Sequence, residues 1–184
     1  MVKKLFVATA VLAMFAAPAA AQTWTNGTGG AYSGITARGT LGTIRQFETT
    51  TKTDLDFGTL SYETTATVNP ASLGAGQSAA KIKVRYNGAT KVTVTTPTAI
   101  SYNDGLTTHN INITSFTCYR GDDTFGNLTA FATTCAAGHT YSSVSGLETT
   151  SVVIGASING TNIPNTLPAA VYEGTITVTL ATPA

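Results

Sequence analysis

The sequence predicts an all-β fold, an antiparallel β-sandwich behind an N-terminal export segment. Three observations predict it. Threonine, a good strand former and a poor helix former, supplies 37 of the 184 residues. Several stretches alternate apolar and polar residues with a period of two, and no stretch of convincing length repeats at helical spacing. Gly, Asn and Pro turns separate these stretches at short intervals. Only 10% of residues are charged, against roughly 25% in an average soluble protein. That composition excludes a charged nucleic-acid binder, a coiled coil and a highly charged disordered tail. The 42% hydrophobic content is enough for a core.

The N-terminus reads as an address. Lys3 and Lys4 precede an apolar run from Leu5 to Phe15 with Thr9 as its one polar residue, Pro18 ends it, and Ala19-Ala20-Ala21 supplies a small-residue cleavage site before Gln22. The run is shorter than the ~18–20 residues a membrane helix needs. Residues 1–21 are therefore expected to be a cleaved signal peptide of bacterial type. The mature chain would be exported to the cell surface or beyond, through the periplasm in a Gram-negative cell, with no membrane span of its own. Cleavage removes two lysines and leaves eight basic against nine acidic side chains, a formal charge of −1. Nothing in that balance steers the protein to nucleic acid.

Residues 22–53 read as an N-terminal extension and 54–184 as the sandwich. Leu55 and Phe57 alternate with Asp54 and Asp56 at its start. Ala80, Ile82, Val84 and Tyr86 take one face of a strand whose other face is Lys81, Lys83 and Arg85. Asn87-Gly88 then predicts a hairpin, with Val92 and Val94 facing inward on the return strand. Asp104-Gly105 marks a second turn, before the alternating Asn110–Thr114. Val152, Ile154, Ala156 and Ile158 share a strand face that ends at Asn159-Gly160. Pro164 and Pro168 confine the following residues to a loop or edge. Thr175–Leu180 is the last strand.

Cys118 and Cys135 are the only cysteines. In an exported chain they are expected to pair, which stabilises by roughly 3 kcal/mol through loop entropy. The loop they enclose is a stapled excursion between strands, or a recognition loop with Tyr119, Phe125 and Phe131 exposed. Asp122 and Asp123 with Asn127 are a weak calcium set or a solvated turn. No serine elbow, zinc-ligand spacing or phosphate loop occurs. The chain is therefore expected to be non-catalytic, with no cofactor-binding or metal-binding residues.

Two stretches carry a family resemblance. Thr51-Lys52-Thr53-Asp54-Leu55-Asp56-Phe57-Gly58-Thr59-Leu60 resembles the opening strand of a family of exported bacterial domains of unknown function. Val171-Tyr172-Glu173-Gly174-Thr175-Ile176-Thr177-Val178-Thr179-Leu180 resembles that family's final strand. Both are similar to spore-coat-U-like and chaperone–usher pilin domains. The Cys118–Cys135 excursion departs from the simple family pattern. The resemblance implies an immunoglobulin-like antiparallel sandwich, surface-exposed and non-catalytic. Its pilin relatives further imply polymers of like subunits built by strand donation, with a periplasmic chaperone and an outer-membrane usher as partners.

The extension contains a strand suited to donation. Ile35, Ala37, Gly39 and Leu41 alternate with Thr36, Arg38 and Thr40. At about 3.3 Å per residue, Ile35 to Leu41 spans roughly 20 Å, one sandwich strand. The other reading is that Ile35–Phe47 is the domain's own first strand. The functional expectation is a structural subunit of an extracellular fibre, pilus or coat. The alternative is a monomeric secreted adhesin or glycan-binding module.

Overall fold

The computed structural model describes residues 42–122, 127–132, 134–142 and 146–184. They belong to one compact unit, Leu41–Ala184. The signal segment, Ile35, Ala37, Gly39, Leu41, Asp123 and Phe125 lie outside the described residues. Among the described residues no helix is long and apolar enough to cross a membrane.

The protein is all-β, and its paired strands are antiparallel. Arg45–Thr53 forms β1, Ala66–Val68 β2 and Ala80–Tyr86 β3. Thr90–Thr95 is β4, Ala99–Asn103 β5, Thr108–Asn112 β6 and Ser115–Gly121 β7. Thr129–Ala130 is β8, His139–Tyr141 β9, Glu148–Ile158 β10 and Thr177–Ala181 β11. One sheet runs β1-β3-β10-β7-β8, with β2 also pairing β10. A second sheet runs β11-β4-β9, and β5 with β6 forms a separate hairpin.

The two sheets pack face to face. Val84, Tyr86, Cys118, Val152 and Ile154 of the first meet Val92, Val94 and Tyr141 of the second in one apolar cluster. A second cluster gathers Phe57, Val68, Ile111, Val153, Ile158 and Ile163. Ser151–Ala156 is buried at every position, because β10 is flanked by β3 and β7 and covered on both faces. A continuous apolar run, rather than strict alternation, suits such a strand. Gly155 sits where a Cβ would collide with the Val68 carbonyl oxygen, so its lack of a side chain lets β2 and the chain after it cross β10 closely.

Two expectations are corrected. Asn87-Gly88 is not a hairpin turn: β3 pairs β1 and β10, whereas β4 pairs β11 and β9. The turn carries the chain from one sheet to the other, and Asn87 is used for a different purpose. Its Oδ1 accepts the Ile44 N–H at 2.6 Å, and its Nδ2 donates to the Gly42 carbonyl at 3.1 Å. The domain boundary also moves. Residues 45–53, assigned to the extension, pair with β3 from Arg45↔Tyr86 to Thr53↔Lys81. The register breaks between Glu48 and Thr53. The Arg45 guanidinium donates to the Ala89 carbonyl at 2.8 Å and to the Thr90 hydroxyl at 3.2 Å. The start of the domain is therefore tied to the Asn87-Gly88 turn.

Candidate functional site

The two halves of the sandwich are built differently. Toward the Asn87 turn the sheets are closed over their core. Toward the other end they separate around a groove of about 1650 Å³. Small-molecule pockets usually measure about 300–1,000 Å³, so this opening exceeds what a small ligand needs.

Its walls come from the two stretches that read as strands in the sequence. One wall is residues 52–60, the other residues 167–176. Leu55, Leu60, Ile82, Ile100, Phe116 and Ile176 are half-buried along it. Each packs against a core cluster with one side only. Val171 is 76% exposed and Tyr62 49%.

Neither wall has completed a β-ladder. On the first wall, Lys52 and Thr53 end β1, where Thr53 pairs Lys81; beyond them Asp56 makes an isolated two-bond bridge with Ser78, and 54–60 otherwise lies outside the named strands. On the second, Glu173 exchanges two backbone bonds with Ser101. Strand β11 begins only at Thr177, and its sole partner is β4. Thr175 and Ile176, expected within the last strand, fall outside it. Among the described residues no backbone hydrogen bond joins one wall to the other. Two tyrosines hold the second wall: the Tyr62 hydroxyl donates to the Leu167 carbonyl at 3.0 Å and the Tyr172 hydroxyl to Pro168 at 3.1 Å.

The remaining sequence candidates fall elsewhere. Cys118 and Cys135 form a disulfide, as expected. The recognition-loop reading is corrected for two of its three aromatics. Phe131 is only 7% exposed and shares the first apolar cluster with the disulfide. Its backbone N–H donates to the Cys118 carbonyl, which folds the chain after β8 back onto β7. Tyr119 is half-buried against the second cluster. Asp122 accepts the Asn127 side-chain N–H at 2.9 Å, so Asn127 turns its amide donor rather than its oxygen toward the carboxylate. Among the described residues no three acidic, His or Cys side chains gather as a metal site.

Both histidines have structural settings. His109 Nε2 lies 3.1 Å from Asp104 Oδ2 across the β5–β6 hairpin. The Thr107 and Leu106 backbone N–H groups bond the Asp104 carboxylate and, with His109, lower its pKa to about 2. A carboxylate committed to two backbone donors is a turn cap rather than a base. His139 lies in a ring cluster, 4.7 Å from the Tyr141 centroid and 5.5 Å from Phe131. Burial, then the nearby Arg120 charge, lowers its pKa.

Sequence reasoning missed the groove itself, although it singled out both walls. The alternation of Leu55 with Phe57 and the strand-like run Val171–Leu180 were legible. The signal that they face an open space is the missing ladder partner, a property of the fold. The chain matches no protein-family model, no curated protein and no solved structure.

Proposed function

We propose that this protein is a non-catalytic structural subunit of a bacterial extracellular fibre or coat, assembled by strand donation between subunits. The observation that carries the reading is the groove with two strand-type walls and no strand between them. A cleft of this size with half-buried Leu55, Ile82, Phe116 and Ile176 along it, beside sheet edges, invites another chain. A single extended segment inserted there pairs its backbone with the walls and its apolar side chains with the floor, the physics of strand addition.

The occupant is the Ile35–Leu41 segment of a second copy. Its inward residues are Ile35, Ala37, Gly39 and Leu41. Burying Ile35 and Leu41 contributes about 1.5–3 kcal/mol each. The direction of the chain favours a neighbour over self-insertion. Gly42 and Ile44 are held by Asn87 at the closed end, and no groove-lining residue comes from the 83–95 stretch. From Tyr86 to Ala80, where β3 enters the groove, is roughly 20 Å at 3.3 Å per residue. In the proposed assembly the segment before Gly42 enters the next subunit's groove. Such a head-to-tail contact joins two different surfaces and propagates as a filament when it does not close.

For the second reading, a monomeric secreted adhesin or glycan-binding module, Phe131 is buried and Tyr119 half-buried, and Phe125 lies outside the described residues.

The test is assembly of the mature chain from Gln22, followed by light scattering and negative-stain microscopy. Fibres are expected from the parent chain. Ile35→Asp with Leu41→Asp should leave soluble monomer. A parent chain that stays monomeric at high concentration overturns the reading, as does polymerisation of a chain lacking Gln22–Thr43.

A further inference from the structure

We infer that the groove selects its occupant by charge as well as by shape: an acidic rim, Asp56 and Glu173, receives Arg38 of the inserted strand and sets its register. This rests on the strand-donation reading and adds a determinant that the apolar fit does not contain.

Both walls carry carboxylates. Asp54 and Asp56 are exposed and alternate with half-buried Leu55 and buried Phe57, so they stand on the solvent side of the first wall. Glu173 is exposed on the second wall, beside half-buried Tyr172, and its backbone is anchored by two bonds to Ser101. Two basic and three acidic side chains line the groove. Lys52 Nζ is 3.0 Å from Asp54 Oδ1 and matches that charge. Asp56 Oδ1 accepts the Gly58 N–H at 2.8 Å, which leaves its negative charge in place. Among the described residues no basic side chain pairs with Asp56 or Glu173.

The occupant has the complementary pattern. Between Gln22 and Thr43 the one charged residue is Arg38. It sits between Ala37 and Gly39, both inward-facing in the proposed strand, so period two directs Arg38 outward, toward the rim. An insertion slipped by one residue would turn Arg38 toward the apolar floor, where an unpaired guanidinium is strongly disfavoured. A slip by two would keep the face but move the cation along the acidic rim. That slip also moves Ile35 or Leu41 onto a position fitted by Ala37 or Gly39, and the charge adds to the discrimination. Rim pairs of this kind act mainly on encounter and register, and are sensitive to salt.

The experiment uses the full mature chain and reads elongation rate by light scattering from preformed seeds. Glu173→Lys and Arg38→Glu should each slow elongation about two- to fivefold, the range expected for an exposed pair. The combination of the two should return the rate to within about twofold of the parent. Glu173→Gln should lie between parent and Glu173→Lys, and the parent rate should fall as salt is raised. Single variants that elongate like the parent overturn the inference, as does a double variant no faster than its singles. Both of those outcomes leave the fibre reading standing. A parent chain that forms no polymer overturns the fibre reading and this inference together. Glu173→Lys is expected to fold, because the side chain is exposed and the Ser101 contacts are backbone bonds.

Discussion

The closed and open halves of this sandwich use the same central strands for opposite ends. At the closed end, Val84 and Tyr86 of β3 lie in one buried cluster with Val92 and Val94 of the second sheet. A disulfide and the Tyr86–Tyr141 ring pair, with centroids 4.9 Å apart, add to that packing. Further along the same β3, Ala80 and Ile82 are half-buried and face the groove. The residue types are alike in the two halves, and the difference is how completely they are covered. Apolar residues at the closed end stabilise the fold, whereas those at the open end are available for stabilising a complex.

The largest expected effect strikes the buried cluster. Reducing Cys118–Cys135 should destabilise by about 3 kcal/mol, the loop-entropy value for a crosslink of this length. Denaturant titrations with and without reductant measure it. A loss far below 1 kcal/mol would mean that the packing of Phe131 over the bridge already holds the excursion.

Paired truncations sharpen the comparison. Val92→Ala deletes buried methyls against a dense cluster and should cost about 2 kcal/mol in monomer stability. Ile82→Ala should cost below about 1 kcal/mol in the monomer, because Ile82 is already half-exposed. In assembly the order reverses. Ile82→Ala removes a groove contact worth about 1.4 kcal/mol or more and should weaken subunit association at least about tenfold. Monomer unfolding and polymer dissociation are measured on the same two variants. Equal effects of Ile82→Ala on both would assign Ile82 to the core.

What could be read from the sequence divides along the same line. Strand β3 was legible because its alternation is local and its polar face carries Lys81, Lys83 and Arg85. The Asp104-Gly105 turn was legible because the hairpin it closes pairs neighbouring segments, Ala99↔Asn112 to Asn103↔Thr108. Asn87-Gly88 was misread because its chemistry suits any tight turn. Whether the flanking strands pair with each other is decided by β1, β10 and β11, far away in sequence. Strand β1 was legible only in part: the reading of Ile35–Phe47 as the domain's own first strand overlaps it at 45–47, but Phe47 is the single large apolar side chain in Arg45–Thr53, and backbone pairing with β3 decides its place. Phe131 looked like a loop aromatic until the Cys118 carbonyl folded it inward. The groove was illegible for a stricter reason: a missing partner leaves no residue to find.

The smallest expected effect concerns pH and belongs to the closed half. Burial, then Arg120, holds the His139 pKa below its ordinary 6.5. Above pH 6.5 the imidazole is neutral in both folded and unfolded chains, and its contribution to stability is fully present. As pH falls through 6.5 the unfolded chain takes up a proton that the folded chain resists, so stability falls until the lowered folded pKa is reached. Asp104 acts in a separate window. Its folded pKa of about 2, against an ordinary 3.8, means that its stabilisation is present above pH 4 and is lost between pH 4 and 2. Thermal unfolding of the monomer should therefore show a first decline just below pH 6.5 and a second below pH 4. His139→Gln should flatten only the first, and Asp104→Asn only the second. Because neither residue lines the groove, elongation by folded monomer should not follow the first decline. If elongation did track the His139 titration, the two halves would be coupled, and the division drawn between a folding end and an assembling end would fail.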